Sequence, residues 1–576
     1  MANLPGNIPQ PSFENLFLSD PLGPIFFAHW SGGGWGGVRP HLEELGRRGA
    51  LATPLSAVAD REGPTLMTHD ARGERVDRIL YHPAYRELEA LAYGGGIVAL
   101  KYDPDFLARH RALRHLAGFA GGYYFAQSEI GVYCPVTMTD GIGRVLERYA
   151  GGGGAQGGRI RETLSRLAER DPARLWQGSM YLTERQGGSD VGANTVQARQ
   201  DPEGTWRLRG DKWFCSNVDA AAMLVLARMP EGPPGTRGLG LFLVLRPEPP
   251  GNAGAIRIHR LKDKLGVRSM ATGEVSLEDA EGVLLAGTGE GFKAMTEMVN
   301  LSRLYNAVAS VALMRRAVME AAAYGRERHA FGTPLWTLPL WRAVVADIAA
   351  EHLGQFVLVF EAVRALDRAD GGDALAGSLA RMLIPIAKGV SGKAAVWAVS
   401  EAMEAIGGNA YIEESLLPRL LRDSQVLPIW EGTTNILALD TLRVVEKERG
   451  QEALFARGEQ AVRVAEACGG LPSRAMTQAR GRLHLAAEAL ETLRGLTPAH
   501  QQRGARQWMD QAGRALSLAL LLEAAALPTL RDPCLAAFQR LEARGTPLAL
   551  AGGMDAPRLA DTEGPLLEAL LPPQGE

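Results

Sequence analysis

The feature of this chain that most constrains its fold is a change of hydrophobic period between about Gly178 and Gly287. Here short segments rich in β-branched and apolar residues, such as AAMLVLARM and GLGLFLVLRP, are separated by Gly, Pro, Asn and Asp. Strands that follow one another without helices between them indicate an antiparallel β domain. Before and after this stretch, apolar residues recur at helical spacing, as in SVALMRRAVMEAAAYGRERHAFG. The order helical, β, helical predicts an α+β fold.

The length predicts several domains, because a chain of 576 residues exceeds the size at which a single core stops growing. We expect residues 1–75, which are punctuated by Pro and Gly, to be an irregular extension, and the Gly-rich run at 150–158 to be a surface loop. The shifts in period predict an N-terminal extension with a helical domain, a β domain, a second helical domain and an additional helical tail, at residues 1–177, 178–288, 289–446 and 447–576.

Charge and cysteine usage exclude several classes of protein. The formal net charge of −3 argues against a chain that coats nucleic acid over its whole surface, so any polyanion site must be a local patch. The four cysteines lack C-x-x-C spacing, which argues against a disulfide framework and a zinc site. The N-terminus lacks the features of a signal peptide, and no apolar run reaches the roughly 18 residues of a membrane span. We expect a soluble cytoplasmic protein without a metal.

Two motifs in the β region combine ligand-type side chains with glycine or aromatic residues. YLTERQGGSDVGANT places Thr183 and Ser189 beside a Gly pair, where backbone amides can approach a ligand closely. GDKWFCSN places Phe214 two residues before Ser216. Each motif also has a plainer interpretation, a solvent-exposed turn for the first and a core strand for the second.

Three further motifs lie in the second helical region. RERHAFG ends a long helix with Arg328 and Phe331, and LPIWEGTTNI sets Glu431 between an apolar segment and a polar turn. EAMEAIGGNAY contains the pair Gly407 and Gly408. A cation in a last helical turn commonly only complements the helix dipole, and a Gly pair commonly only caps a helix. The order and spacing of the five motifs are therefore more informative than any one of them.

From about His82 to Val445 the chain resembles the acyl-CoA dehydrogenases. The family's T-E-x-x-x-G-S-D matches residues 183–190, its R-x-x-F-G matches 328–332, and its E-G-T matches 431–433. Segments such as LFLSDP, CPVTMT and RLKDKLGVRS, together with the extra helical tail, are similar to the AidB branch, which is induced by DNA alkylation. The resemblance implies the acyl-CoA dehydrogenase fold, bound FAD and a C-terminal helical domain implicated in binding duplex DNA.

The resemblance also implies which residues hold the flavin. Arg328 would reach the FAD pyrophosphate of a neighbouring subunit, with Phe331 against the adenosine, so an oligomer, expected to be a homotetramer, is implied. The chain departs from the family's pattern at two positions, with Glu404 in place of a glutamine and no glutamine near Pro339. The implied cofactor-binding residues are Thr183, Ser189, Phe214, Ser216, Arg328, Phe331, Gly407, Gly408, Thr433 and Asn435.

Glu431 falls on the family's catalytic base. The resemblance implies an acyl-CoA substrate from which this carboxylate takes the α-proton while hydride leaves the β-carbon for the flavin. Such a base needs a pKa raised towards neutrality, and we expect Ile429 and Trp430 to desolvate it. Some family members carry the base on the helix of Arg303, but the corresponding residue here is Ser302. Arg303 itself implies either a substrate contact with CoA or a salt bridge.

An alternative for Glu431 stays open, namely a buried acid that is neutralised by a cation and supports weak turnover or none. If the chain does turn over, the implied electron acceptor is an electron-transfer flavoprotein or oxygen. No membrane partner is implied.

A second alternative rests on the tail. Between 474 and 514 there are seven arginines against three acids, a local excess that could neutralise DNA phosphates without reading bases. Beyond Asp532 acids return, so an ordinary solvated helix face is the competing interpretation. The candidate DNA-binding residues are Arg480, Arg482, Arg503, Arg506 and Arg514.

Overall fold

The computed structural model describes residues 8–246, 253–544 and 560–571. The chain forms two compact units, which we call the helical unit and the mixed unit. The helical unit comprises residues up to 50, 110–128 and the chain from 303 onwards. The mixed unit comprises residues 51–109 and 129–302.

Part of the segment that was expected to be irregular is a β-hairpin of the mixed unit. Strands β1 (Thr65–His69) and β2 (Arg75–Leu80) pair antiparallel. The Asp70 carboxylate accepts backbone hydrogen bonds that close the turn between them. The hairpin is anchored because Asp77 accepts the backbone N–H of Ile258 at 3.0 Å. The expectation of an irregular extension was therefore wrong here.

The same expectation was wrong for two helices, α1 (Gly23–Ser31) and α2 (Trp35–Arg61). Glycine in a helix interior costs about 1 kcal/mol relative to alanine, which is why SGGGWGG resembles a loop. Burial in the helical unit outweighs this cost. Phe26 and Phe27 are buried, and the ring of Phe27 packs edge-on to that of Phe360 at 5.0 Å between centroids.

The mixed unit contains the predicted sheet. Its strands are β3 (Gly178–Tyr181), β4 (Gln197–Gln200), β5 (Trp206–Ser216), β6 (Ala222–Arg228), β7 (Leu239–Leu245), β8 (Ile256–Leu261) and β9 (Thr272–Ala286). They are hydrogen-bonded in the order β3-β6-β4-β5-β9-β7, with β8 on β9, and β7 also pairs with β6 so that the sheet closes on itself. Pairing is antiparallel as predicted, except that β6 runs parallel to β3 and β4.

The other helices are α3 (Pro83–Gly94), α4 (Pro104–His110), α5 (Arg114–Ala126), α6 (Tyr133–Glu147), α7 (Gly154–Leu167), α8 (Gly291–Glu327), α9 (Pro339–Asp370), α10 (Ala374–Ile406), α11 (Leu417–Ser424), α12 (Thr434–Glu448), α13 (Gly450–Cys468), α14 (Ser473–Arg494), α15 (Pro498–Ala525), α16 (Arg531–Arg544) and α17 (Glu563–Glu568). The Gly-rich run expected to be a loop is partly helical, because α7 begins inside it. Ile160 and Leu167 of α7 pack into a core cluster of the mixed unit, which stabilises the helix.

Helices α9 and α10 form the core of the helical unit. By length and composition alone both could cross a membrane, which the sequence analysis did not expect. Their most apolar windows are 89% and 83% buried inside the protein, and the two helices pack along each other. Helices that are apolar on all sides are typical of such a buried core.

Buried ion pairs join the C-terminal helices to α9. Glu351 accepts hydrogen bonds from Arg514 on α15 at 2.8 Å and from Arg544 on α16 at 2.6 Å. One turn earlier, Asp347 accepts from Arg540 at 2.8 Å. Burial by itself would raise the pKa of Glu351, but the two arginines outweigh it and lower that pKa. The tail is thus attached through charges that are largely withdrawn from water.

We expect Glu351→Ala to destabilise the protein by roughly 3–5 kcal/mol, because it removes the buried carboxylate that Arg514 and Arg544 both bind. The control is Glu491→Ala, which removes an exposed pair with Arg494 and should cost less than about 1 kcal/mol. The measurement is the thermal unfolding midpoint by circular dichroism. Equal shifts in the two variants would contradict the assignment of Glu351 as an anchor.

Candidate active site

The segment LPIWEGTTNI forms a tight turn that leads into α12. The carbonyl of Val426 accepts backbone hydrogen bonds from Ile429 and Trp430 at 2.8 and 3.0 Å. Glu431 (φ 57°) and Gly432 (φ 98°) then both adopt left-handed backbone conformations. A residue with a Cβ is strained in this region, and such strain is concentrated at functional sites. Surrounding groups must therefore stabilise the turn.

Two buried cations bind the carbonyls of this turn. Lys388 on α10 donates from Nζ to the Gly432 carbonyl at 2.6 Å. Arg303 on α8 donates from Nε to the Glu431 carbonyl at 3.1 Å. Because both consecutive carbonyls are bound, the left-handed pair is held from two helices.

Arg303 is itself fixed by an ion pair. Its Nη1 lies 2.7 Å from Oδ2 of Asp440, and Arg381 binds the other oxygen of Asp440 at 2.8 Å. Burial by itself would raise the pKa of Asp440, but the surrounding arginines hold that pKa well below its usual range. The salt bridge that the sequence left open for Arg303 is present. The contact with CoA stays a prediction.

The Glu431 carboxyl has the ionisation that a base at neutral pH requires. Burial raises the pKa of Glu431 to about 7, and attraction to Lys388 and then to Arg303 limits the rise. Burial likewise lowers the pKa of Lys388 to about 7, against the opposing attraction of Glu431. The expected apolar wall is incomplete in this chain, since the side chain of Ile429 is 60% exposed.

Other predicted cofactor residues of the helical unit present open backbone or free polar groups. α10 ends at Gly407 (φ 82°), and a Cβ built on Gly407 or Gly408 would meet nothing within 4 Å. Thr433 precedes α12 without making a side-chain capping bond, and both Thr433 and Asn435 are exposed. These positions leave room for a ligand to approach the main chain.

Phe331 lies at the tip of a hairpin that follows α8. Strands β10 (His329–Ala330) and β11 (Thr333–Pro334) are joined by Phe331 (φ 54°) and Gly332 (φ 81°), a pair of angles typical of a type I′ turn. The side chain of Phe331 is 95% exposed, and Arg328, just before the hairpin, is partly exposed. The hairpin therefore displays the ring of Phe331 to solvent, where a ligand can reach it.

In the mixed unit, the loop TERQGGSD is supported by buried Glu184, whose Oε1 lies 2.9 Å from Nζ of Lys212. A Cβ on Gly188 would come within 2.6 Å of Oγ1 of Thr183, so the loop requires glycine there. Ser189 is exposed at the end of the Gly pair. The loop therefore has a rigid base and an accessible polar rim.

The aromatic pair of GDKWFCSN lies near the end of β5. Nζ of Lys262 is 3.3 Å from the ring centroid of Trp213, and Cζ of Arg185 is 5.0 Å from it, so two cations contact this ring. Phe214 is 55% exposed, and Ser216 ends the strand. Lys262 also lies over the ring of Phe214, at 4.9 Å from its centroid, and the exposed part of that ring can contact a ligand.

The tail arginines are largely paired within the chain. Ion pairs bind three of the five predicted DNA-binding arginines to acids: Arg480 to Glu466, Arg482 to Glu542 and Arg514 to Glu351. Arg503 and Arg506 on α15 are exposed. The positive excess that the sequence indicated is therefore smaller on the folded surface.

Sequence reasoning missed the charged residues that support the motifs LPIWEGTTNI and TERQGGSD. Lys388, Asp440 and the pair of Glu184 with Lys212 received no role. The available signal was a charged residue inside an otherwise apolar run, such as the lysine of IPIAKGVSG, but a side chain's partner cannot be read from the run itself.

Comparisons with known proteins agree with this organisation. The family model for the C-terminal domain of acyl-CoA dehydrogenases matches residues 289–445, and that for their middle domain matches 179–280. The model for the N-terminal domain of the adaptive response protein AidB matches residues 9–153.

AidB of Escherichia coli (strain K12) is 39% identical over 449 residues, which cover 76% of this chain and 79% of that protein. Acyl-CoA dehydrogenase family member 11 of Caenorhabditis elegans is 36% identical over 415 residues, which cover 71% of this chain and 65% of that protein. The crystal structure of ACDH-11 from C. elegans in complex with C11-CoA matches with a TM-score of 0.87 at 31% identity, covering 94% of this chain and 93% of the other. The predicted helical, β, helical fold is confirmed.

We expect Gly432→Ala to destabilise the protein by roughly 1–3 kcal/mol, because φ of +98° is strained for any residue with a Cβ. Gly408→Ala is the matched control, since that position lacks a positive φ and has open space around it. Thermal unfolding of the two variants measures the difference. A Gly432→Ala variant as stable as the control would show that the turn relaxes without cost.

Proposed function

The chain belongs to the acyl-CoA dehydrogenase family of FAD-dependent oxidoreductases, and from this premise we propose that it dehydrogenates an acyl-CoA thioester with Glu431 as the base. The observation that carries the proposal is the place of Glu431 in a strained turn whose carbonyls Lys388 and Arg303 bind. Burial raises the pKa of the Glu431 carboxyl there to about 7. A base with this pKa is ionised in a large fraction of molecules at neutral pH yet still binds a proton well.

Each residue of the turn and its supports has a separate role in this reaction. The carboxylate of Glu431 accepts the proton from the α-carbon, next to the thioester carbonyl. Lys388 and Arg303 hold the main chain of the turn, so that the carboxylate stays in one orientation. Gly432, which has no Cβ, leaves space beside the base.

FAD fits the residues that are present. The open backbone at Gly407 and Gly408, the unbonded hydroxyl of Thr433 and the exposed ring of Phe214 are the kinds of group that can hold a flavin dinucleotide. When bound, FAD supplies the acceptor for the hydride of the β-carbon. We propose the same role for Thr183, Ser189, Ser216, Arg328, Phe331 and Asn435.

We further propose that the chain assembles as a homotetramer in the cytoplasm and transfers electrons to an electron-transfer flavoprotein or oxygen. The exposed ring of Phe331 supports the assembly, because a second copy or its cofactor would cover it. The complex of ACDH-11 with C11-CoA supports an acyl-CoA ligand of medium chain length as the first to test.

We expect the purified protein to be yellow and its flavin absorbance to be bleached anaerobically by a matched acyl-CoA. The rate should rise with pH through about 7, since Glu431 is protonated below its pKa and ionised above it. Glu431→Gln should lower the rate roughly 10²–10⁴-fold. Stopped-flow absorbance with a panel of acyl chains measures this, with Glu414→Gln, an exposed glutamate outside the turn, as control.

A bleaching rate that Glu431→Gln leaves unchanged would contradict the assignment of the base. A panel in which no acyl-CoA bleaches the flavin would contradict the dehydrogenase activity itself.

A second candidate function is association with duplex DNA through the tail, as protection against alkylation damage. The match to the AidB N-terminal domain supports it, as do Arg503 and Arg506, whose exposed side chains lie three residues apart on α15. Arginines at this spacing lie on one face of a helix and can bind neighbouring phosphates.

We expect the double variant Arg503→Ala/Arg506→Ala to bind duplex DNA more weakly and to reduce the slope of log affinity against log salt by about one per lost phosphate contact. The control is Arg199→Ala/Arg209→Ala, which removes the same charge from the β domain. Fluorescence anisotropy at several salt concentrations gives both quantities. Equal slopes in the two double variants would exclude the tail as the DNA-binding surface.

A further inference from the structure

Lys388 contacts the turn of the proposed base, yet the family's motifs assign it no role. We propose that Lys388 is a positioning residue for Glu431: its ammonium group holds the left-handed turn and keeps the Glu431 carboxylate ionised in a buried site. This inference rests on the proposed function, because it concerns the same base.

Lys388 is buried in the middle of the core helix α10. Its side chain is 0% exposed, and the residues on either side of it, Ala387 and Gly389, are buried as well. An ammonium group taken out of water carries a large free-energy cost unless charge or hydrogen bonds offset it. A lysine at this position therefore needs a hydrogen-bond acceptor or an opposite charge close to its ammonium group.

The hydrogen bond to Gly432 accounts for the position of Lys388 but not for its charge. Nζ of Lys388 donates to the Gly432 carbonyl at 2.6 Å, but an uncharged amide could donate the same bond without the cost of burying a charge. The carbonyl that Nζ binds belongs to the residue next to Glu431, and a positive charge on Nζ also attracts the Glu431 carboxylate.

Arg303 does not replace Lys388 in this purpose. Its guanidinium forms an ion pair with Asp440, which Arg381 also binds. The charged groups that act on Lys388 are Glu431 of the turn and Arg303 of α8, and Lys388 acts on Glu431 more strongly than Arg303 does. Among the described residues, Glu431 is thus the acid whose charge acts on Lys388, while the contact of Lys388 itself is with the Gly432 carbonyl.

Three substitutions of Lys388 separate the effect of its charge from that of its hydrogen bond. Lys388→Gln keeps a donor for the Gly432 carbonyl and removes the charge. Lys388→Met removes both and keeps a similar volume. Lys388→Arg keeps the charge and serves as the conservative variant.

The experiment is a pH titration of the Glu431 carboxyl by difference infrared spectroscopy on the purified FAD-containing protein, with Glu431→Gln used to assign the band. We expect Lys388→Gln and Lys388→Met to raise the pKa of Glu431 by about one unit or more. At a fixed pH, the ratio of ionised to protonated Glu431 would then be about tenfold smaller than in the unmodified protein. Lys388→Arg should stay within about half a unit of the unmodified protein. An unchanged titration in Lys388→Gln, or an equal rise in Lys388→Arg, would overturn the proposal.

Hydrogen exchange of the peptide covering 427–436 tests the hold on the turn. We expect faster exchange in Lys388→Met than in Lys388→Gln, because the glutamine still binds the Gly432 carbonyl. Equal exchange in the two variants would overturn that part. Neither measurement needs a substrate, so a failure of acyl-CoA to bleach the flavin would count against the proposed dehydrogenation and not against the role of Lys388.

Discussion

The candidate site of the helical unit depends on hydrogen bonds to two consecutive peptide carbonyls, those of Glu431 and Gly432. Each carbonyl accepts a hydrogen bond from a buried cation, Lys388 on α10 or Arg303 on α8, and the turn that carries them leads directly into α12. The left-handed conformation of Glu431 is unfavourable by itself, so it persists only because these side chains determine it from outside. The turn that carries the proposed base is therefore positioned by long helices and not by its own loop, which gives a precise geometry.

Buried ion pairs connect the helices of this unit at several positions. Glu351 binds two arginines of the C-terminal helices, and Asp440 binds Arg303 and Arg381. Such pairs add little net stability compared with apolar packing. They do disfavour other arrangements of the helices, because any misplaced partner leaves an uncompensated buried charge. This has a functional consequence for the tail: an arginine such as Arg514, which anchors a helix, is not available to bind a phosphate.

The fold could be predicted from the sequence where periodicity was clear, and could not where long-range packing overrode local preference. Most of the strands from Gly178 to Ala286 have four to seven residues and are bounded by turn residues, so their pattern was clear. By contrast, the glycines near the N-terminus indicate a loop, yet α1 and α2 form because aromatic residues such as Phe27 are buried against distant helices. Burial against residues more than 300 positions away leaves no trace in a local pattern.

The candidate site divides in the same way. The sequence by itself determined which residues are chemically capable: the lone carboxylate of Glu431, the glycines that let a ligand approach the main chain, and the aromatic and hydroxyl side chains of the motifs. Only the tertiary structure decided their ionisation and orientation, because the pKa of Glu431 depends on burial and on two cations, 43 and 128 positions away in the chain, that no motif connects to it. A covalent sequence specifies which groups are present, whereas electrostatic interactions depend on distances that exist only in the folded chain.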